Sequence, residues 1–582
     1  MPSVPSAATV RHTLRHRFGI RRLTEGQQAV IARVFEGRDT LAVMPTGAGK
    51  SLCYQLPAAH LPGLVVVVSP LISLMKDQAE KLGPAGIDAY QFNSAQPDDE
   101  QDDALRRIGG ASSGVVFTTP ERLAQSTFIA ALRERPIALL VVDEAHCIAQ
   151  WGHDFRPAFL EIDDALAALN RPPVLALTAT ATAEVIDDIR HQLHRPGMAV
   201  VNTGIYRSNL DFAVRQITRE DEKFEALLEQ VRGTAGSGIV YTATVKACTE
   251  VYERLIAAGE SADRYHGKLA AAERHASQDR FMEGQTRVMV ATSAFGMGID
   301  KADVRFVVHY QMPGTLEAYY QEAGRAGRDG AASTCSLLFD RKDRQVQQFF
   351  LSRRYPSADD LARVHAALLE AAGPSSIAAL EARLGGLPRG RVAVALSLLR
   401  DGKLVRSNRS REWVLRAGDR DVSATLETLA QAYVDKAERD RESLERMVFY
   451  AQTGWCRWRV LLEHFGESLS FENGCGACDN CRRPRLLPES EPSVSSADVL
   501  ADPTPILPFG AGDDVQVPRY GSGRVLQIAG EEVTVGFPDG VRRSFLAAYV
   551  QKAGLVIAQT DAEPAAATRR KRPRGAAVAR PG

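Results

Sequence analysis

Between about residue 10 and residue 340, short valine-rich apolar runs recur at 64–68, 139–142, 174–177, 238–241, 288–291 and 306–309, separated by stretches with helical periodicity. Runs this short and uniformly apolar suit strands covered on both faces. Their alternation with helices predicts an α/β fold with parallel sheets. The stretch is too long for one sheet, and the pattern restarts near residues 203–211. Two lobes are therefore expected, 1–205 and 206–345, each a parallel sheet wrapped by helices.

Past residue 357 the pattern changes. Residues 360–371, 376–384 and 389–400 read as three amphipathic helices; 403–406 and 413–415 read as short strands around a polar tip at 407–411. Three helices followed by a two-stranded ribbon is a winged-helix pattern, assigned to 346–418. Helical periodicity resumes over 423–465, within a module spanning 419–486. Residues 487–509, rich in Pro, Ser, Asp and Glu, form a linker. Short strands at 514–517, 523–528, 533–537 and 542–546, punctuated by Gly and Pro, close as a small SH3-like β-barrel over 510–556. The tail, 557–582, carries Arg569, Arg570, Lys571, Arg572, Arg574 and Arg580 with no acid beyond residue 563. It is expected to be disordered and to attract nucleic acid without sequence preference.

A chain of 582 residues with 45% hydrophobic composition can fill several cores. No apolar stretch approaches a membrane span, and the start has Arg11, Arg15 and Arg17 but no apolar segment of a secretion signal. A cytoplasmic protein without membrane partners is expected, nucleoid-associated if bacterial. Lys plus Arg (71) balance Asp plus Glu (71), so net charge neither requires nor forbids nucleic acid. Of eight cysteines, Cys53, Cys147, Cys248 and Cys335 are scattered as core thiols, whereas the other four cluster late.

The chemistry begins after an apolar run, at Met44-Pro45-Thr46-Gly47-Ala48-Gly49-Lys50-Ser51. This reads as a phosphate-binding loop, although Met44 stands where the strict pattern has glycine. Backbone N–H groups from Thr46, Gly47 and Gly49 would wrap phosphates, Lys50 would reach the β/γ oxygens and Ser51 would hold Mg²⁺. Some ninety residues later a second run ends in Asp143-Glu144-Ala145-His146. At a strand's carboxyl end, Asp143 suits a Mg²⁺ ligand and Glu144 a water activator. Together they describe an ATP hydrolase with ATP between the lobes. Alone, a phosphate loop fits any nucleotide-binding protein; in order with the motifs that follow, the reading narrows sharply.

Those motifs are Thr178-Ala179-Thr180, Ala294-Phe295-Gly296-Met297-Gly298-Ile299-Asp300 and Gln321-Glu322-Ala323-Gly324-Arg325-Ala326-Gly327-Arg328. With them the chain resembles the RecQ family of superfamily-two DNA helicases. The resemblance covers about 10–340 and 435–484 and is most specific over 145–157. It implies that this loop, with His146, Gln150, Trp151, His153, Phe155 and Arg156, senses single-stranded DNA. Its aromatic groups offer stacking surfaces worth roughly 1–3 kcal/mol per base. It implies that Arg325 and Arg328 are arginine fingers stabilising the transferring phosphoryl group. Asp300 joins the nucleotide set, and Gln27 pairs with the adenine edge. Ile20 and Thr24 stand where the family has tyrosine and arginine, which implies weaker ATP binding or looser base selectivity.

Cys456, Cys475, Cys478 and Cys481 give C-x18-C-x2-C-x2-C, the spacing of a four-thiolate structural Zn²⁺ site, and resemble the family's zinc module. The winged-helix segment precedes the zinc ligands, whereas in the family it follows them. Arg389, Arg391, Arg406, Arg409 and Arg411 suit phosphates of duplex DNA, the alternative being a solvated spacer. Trp413 is either wing core or a strand-splitting wedge. The final barrel looks like the Tudor-like C-terminal domain of UvrD-type helicases, which docks on RNA polymerase; another protein partner, a nucleic-acid role or a purely structural one stand beside it. The reading as a whole is an ATP-dependent DNA helicase that tracks single strands 3′ to 5′ and opens duplex DNA in repair or recombination. Its alternatives are a translocase that does not unwind and a partner-recruiting adaptor.

Overall fold

The computed structural model describes residues 5–482 apart from 94–97, 111, 150–156, 296–300, 355, 372, 409–411, 417–421 and 469–473; further on it describes 509–517, 521–529, 532–536, 542–546 and 551–552. Two compact units divide the chain, Met1–Arg485 and Leu486–Gly582.

The first unit contains both expected lobes. Lobe 1 is built on β1 (Thr40–Val43), β2 (Gly63–Val68), β3 (Ala89–Phe92), β4 (Ser113–Thr118), β5 (Ile137–Val142), β6 (Val174–Thr178) and β7 (Ala199–Asn202). They lie in the order β3-β4-β2-β5-β6-β1-β7, every neighbouring pair parallel. The period of two sends alternate side chains to opposite faces: Leu41 and Val43 join one core, Ala42 and Met44 the other. A strand buried on both faces has no polar side to show, which is why these runs carry no alternation.

Lobe 2 repeats the plan with β8 (Leu210–Gln216), β9 (Ser237–Tyr241), β10 (Ala262–Tyr265), β11 (Val288–Ala291), β12 (Val304–His309) and β13 (Ser333–Phe339). Their order is β10-β11-β9-β12-β13-β8, again all parallel. Helices Ala358–Ala371, Ile377–Leu384 and Arg389–Asp401 follow, with an antiparallel ribbon of Val405–Ser407 and Trp413–Leu415. Leu361, Leu380, Leu396 and Leu399 fill their common core. Trp413 packs against this core, and its backbone N–H and carbonyl pair with Ser375 at 2.9 and 3.0 Å.

The long helix Val422–Gln452 and the helix Arg457–His464 do not make a core of their own. Leu444, Met447, Tyr450, Trp458 and Leu461 share one buried cluster with Leu210 and Phe212 of β8 and with Tyr319. The cysteine-bearing module is thus an extension of lobe 2. In the second unit, Asp514–Val517, Gly521–Ala529, Glu532–Gly536, Arg542–Leu546 and Gln551–Lys552 form one antiparallel sheet around Phe509, Val515, Val525, Val533 and Val535. Of the expected linker, 487–509, only Phe509 is described, and it packs in the core of this sheet; the rest of the linker and the basic residues of the tail lie outside the described residues.

Candidate active site and zinc centre

The phosphate loop, residues 44–51, leaves the carboxyl end of β1, and Asp143 and Glu144 leave the end of β5, with β6 between the two strands. Gly47 and Gly49 adopt φ of 86° and 73°. A Cβ on Gly49 would stand 2.6 Å from Gln27 Nε2, so both backbone conformation and space demand glycine there. Lys50 Nζ donates to the Met44 carbonyl at 3.2 Å, folding back across its own loop. Burial lowers the Lys50 pKa, opposed by the charges of Glu144 and Asp143. Burial also pushes Asp143 up to about 7, with the adjacent Glu144 charge adding to the rise and Lys50 opposing it. Ser69 Oγ donates to Asp143 Oδ2 at 3.4 Å. Two adjoining, half-buried carboxylates suit a hard divalent cation. Asp143 and Ser51 would hold Mg²⁺, which would neutralise charge on the phosphates.

Glu144 sits at φ 49°, a left-handed conformation uncommon for a residue with a side chain. Its Oε2 lies 3.4 Å from His146 Nδ1. That nitrogen is also 3.0 Å from Thr178 Oγ1, and the Thr178 hydroxyl donates to the Thr180 carbonyl at 2.9 Å. His146 is 2% exposed, so the contact runs through the lobe interior. It ties the Glu144 carboxylate to the Thr178-Ala179-Thr180 segment at the end of β6.

Lobe 2 approaches the same loop. A Cβ on Gly47 would meet Arg328 Cγ at 3.2 Å, and one on Gly324 would meet Thr46 Cβ at 3.5 Å. Arg328 is also close enough to depress the Lys50 pKa. Arg325 is buried, hydrogen-bonds Tyr241 and lines a cavity of about 360 Å³ that also includes His309, Gln311 and Phe350. Asp300 lies outside the described residues, as do Gln150, Trp151, His153, Phe155 and Arg156; of the residues expected to sense DNA, only His146 is described.

Gln27 uses both ends of its amide locally. Oε1 accepts from Thr24 N–H at 3.0 Å, and Nε2 donates to the carbonyls of Ala48 at 3.0 Å and Gly49 at 3.3 Å. Thr24 Oγ1 in turn accepts from Gln27 N–H at 3.3 Å, completing a capping box on the helix Glu25–Phe35. The threonine that replaces the family's arginine thus anchors the helix carrying Gln27. Ile20 is half-buried against the lobe 1 core.

The sulfur atoms of Cys456, Cys475, Cys478 and Cys481 all lie within 4.8 Å of one another, and the Cys475 to Cys481 separation is 3.9 Å. Tetrahedral Zn–S bonds of about 2.3 Å require sulfur separations of roughly 3.8 Å. The four thiolates therefore fit zinc. Backbone N–H groups of Cys475, Cys478 and Arg457 donate to the sulfurs of Cys456, Cys475 and Cys478 at 3.3, 3.3 and 3.4 Å. Thiol hydrogen bonds from Cys475 and Cys478 hold Cys456 far below the ordinary thiol range. Gly474, at φ 83°, leaves room that a Cβ would fill 2.8 Å from Cys481 Sγ.

The surrounding residues clamp this cluster to lobe 2. The Arg457 guanidinium forks onto Asp479 at 2.9 and 3.0 Å, and Asp479 Oδ2 also accepts the Val214 N–H of β8 at 3.1 Å. Gln216 Nε2 donates to the Ala451 carbonyl at 2.6 Å, and Trp458 Nε1 to the Leu210 carbonyl at 3.3 Å. Sequence reasoning found the four ligands but missed Arg457, Asp479 and Gly474, whose sole sequence signal is proximity to a ligand cysteine.

In the ribbon region Arg389 and Arg406 are exposed, whereas Arg391 pairs with Asp360 at 3.4 Å and donates to the Ser352 carbonyl. Arg409 and Arg411 lie outside the described residues. No helix among the described residues is long and apolar enough to cross a membrane.

Two parallel-sheet lobes with a phosphate loop on one and an arginine-bearing loop against it define a superfamily-two helicase motor. Residues 24–189 match the DEAD/DEAH box helicase family, 222–330 the helicase conserved C-terminal domain and 419–482 the RecQ zinc-binding family. The chain is 48% identical over 342 residues to ATP-dependent DNA helicase RecQ of Bacillus subtilis (strain 168), an alignment covering 58% of each chain. It is 34% identical over 476 residues to the probable ATP-dependent DNA helicase RecS of the same organism, covering 81% of this chain and 92% of that one. The RecQ-like DNA helicase blm-1 of Caenorhabditis elegans is 41% identical over 345 residues, 57% of this chain and 34% of its own length. The chain belongs to the RecQ family of DNA helicases.

Proposed function

We propose that the protein is an ATP-dependent DNA helicase that tracks along single-stranded DNA from 3′ to 5′ and separates duplex DNA during repair or recombination. The observation that carries this reading is the meeting of three loops: the phosphate loop, the Asp143-Glu144 pair close enough to shift the Lys50 pKa, and the 324–328 loop laid against Gly47. Lys50 and Ser51 bind the phosphates and Mg²⁺, Asp143 holds the metal, and Glu144 orients the attacking water. Arg328 supplies positive charge to the transferring phosphoryl group, with Arg325 behind it in lobe 2. Hydrolysis then requires the lobes to close, and closure is the step that moves one lobe along the strand. Zinc, held by its four thiolates, fixes the helical module on lobe 2 as a platform for DNA.

The exposed Arg389 and Arg406 are proposed to bear on duplex phosphates ahead of the motor, and the C-terminal sheet to recruit a protein partner, RNA polymerase among them. The setting proposed is the cytoplasm, or the nucleoid in a bacterium. The test is ATP-dependent strand release from 3′-tailed and 5′-tailed duplexes, comparing the intact protein with Glu144→Gln. Release from the 3′-tailed substrate alone, abolished by the substitution, is expected. ATP hydrolysis stimulated by single strands without release from either substrate would refute unwinding and leave a translocase.

A further inference from the structure

The segment joining the lobes, residues 202–209, carries a side chain that no sequence motif marked. Arg207 Nη1 donates to the Gly324 carbonyl at 2.8 Å; Nη2 donates to those of Ala326 at 2.9 Å and Gly327 at 2.5 Å. These are three carbonyls of the four residues that lead into Arg328. The same Nη1 also lies 3.5 Å from the carbonyl of Thr46 in the phosphate loop of the other lobe. Asn209 continues the grip, donating to the carbonyls of Gly327 at 2.8 Å and Ala331 at 2.9 Å. Gly327 itself, at φ 56°, cannot carry a side chain, since a Cβ would stand 2.5 Å from Asn209 Nδ2.

The segment is held at its other end too. Glu467 of the zinc-binding module accepts the Ile205 N–H at 3.1 Å and faces Asn202 Nδ2 at 3.5 Å, while the Tyr320 hydroxyl donates to the Ile205 carbonyl at 2.5 Å. Arg207 is therefore preset by its neighbours, and burial lowers its pKa without providing a carboxylate within ion-pairing distance among the described residues. A half-buried guanidinium without a paired carboxylate among the described residues, its donors given to backbone carbonyls, is costly unless those carbonyls must be fixed. The pattern of bond lengths is informative. Three close contacts lie within lobe 2, and one long contact, at the limit of hydrogen bonding, crosses to lobe 1. Arg207 is thus bound to the 324–328 loop and only at the limit of contact with Thr46.

We infer that Arg207 is a positioning residue for ATP hydrolysis: it holds the backbone of the arginine-bearing loop in the form that presents Arg328 to the phosphate loop, and it links that form to lobe closure through the Thr46 carbonyl. The inference rests on the reading of the cleft as an ATP-hydrolysing site. ATP binds chiefly through lobe 1, so loss of Arg207 should impair turnover and leave nucleotide binding in place.

The experiment measures steady-state ATPase kinetics with saturating single-stranded oligonucleotide for the intact protein, Arg207→Gln, Arg207→Lys and Asn209→Ala, together with binding of a fluorescent non-hydrolysable ATP analogue and thermal unfolding. Arg207→Gln is expected to lower kcat by roughly 10- to 100-fold, the equivalent of one or two charge-assisted hydrogen bonds, while KM and analogue affinity change by less than about twofold. Arg207→Lys keeps the charge but not the fork, so it should lie between the two, as should Asn209→Ala. The inference is overturned by an unchanged kcat in Arg207→Gln and Arg207→Lys, or by kcat, analogue affinity and unfolding temperature falling together in both, which would mark a purely structural residue. An intact protein that fails to hydrolyse ATP would instead refute the parent reading of the cleft.

Discussion

Replacing Asp479 by alanine tests whether the zinc-bearing module depends on lobe 2 for its stability. In the folded protein this carboxylate takes both arms of Arg457 at 2.9 and 3.0 Å, and one of its oxygens also accepts the Val214 N–H of β8 at 3.1 Å. Arg457 is 2% exposed and cannot turn to water when its partner is gone. An unpaired buried cation costs about 3–5 kcal/mol. The stranded Val214 N–H adds ~1–3 kcal/mol, though neighbouring effects do not sum strictly. Pairing the change with Arg457→Met, and replacing Asp479 by leucine, removes the charge penalty and leaves the Val214 amide and the Tyr450 carbonyl without these partners; the double variant should recover the part of the loss due to the stranded charge. Urea unfolding followed by circular dichroism gives the stabilities, and a chromogenic chelator gives the rate of zinc release. The single variant should unfold at lower urea and surrender zinc faster. A loss below about 1 kcal/mol, or a double variant no more stable than the single one, would refute the argument that this ion pair holds the module in place.

Three further outcomes follow from the site. His146→Ala removes the contact between Glu144 and Thr178, so DNA-stimulated ATPase should fall by about 10-fold or more, the equivalent of one charge-assisted hydrogen bond, with KM for ATP little changed; an unaltered kcat would show that Glu144 needs no such tether. Ile20→Tyr supplies the aromatic ring that the family resemblance expects against adenine and should lower KM for ATP about fivefold or more, by comparison with ~1 kcal/mol of base stacking; a KM already in the low micromolar range with GTP excluded would remove the basis for that expectation. Removing zinc with a strong chelator should destabilise lobe 2 along with the module, because Tyr450, Trp458 and Leu461 share its core, and unfolding confined to 419–482 in hydrogen exchange would contradict this.

The sequence by itself determined the two α/β lobes, because strands buried on both faces must be written as unbroken apolar runs, and those at 64–68, 174–177 and 288–291 fall within β2, β6 and β11. It also determined the chemistry that is local in the chain. A phosphate loop and a four-cysteine zinc site are made of residues whose spacing is itself the geometry, so Gly47, Gly49, Lys50 and the late cysteines were legible before any fold was known. What tertiary structure alone decided is what touches these pieces from far away. Arg207 stands 161 residues from Thr46 and 117 from Gly324, and Asp479 stands 265 from Val214. A lone arginine or aspartate at such distances leaves no periodic trace. The shared core of the zinc module and lobe 2 was hidden for the same reason: helical periodicity says that Leu444, Met447 and Trp458 must be buried, but it does not say against which partner. That choice belongs to the packing of whole elements, and it makes the zinc module part of the motor's second lobe.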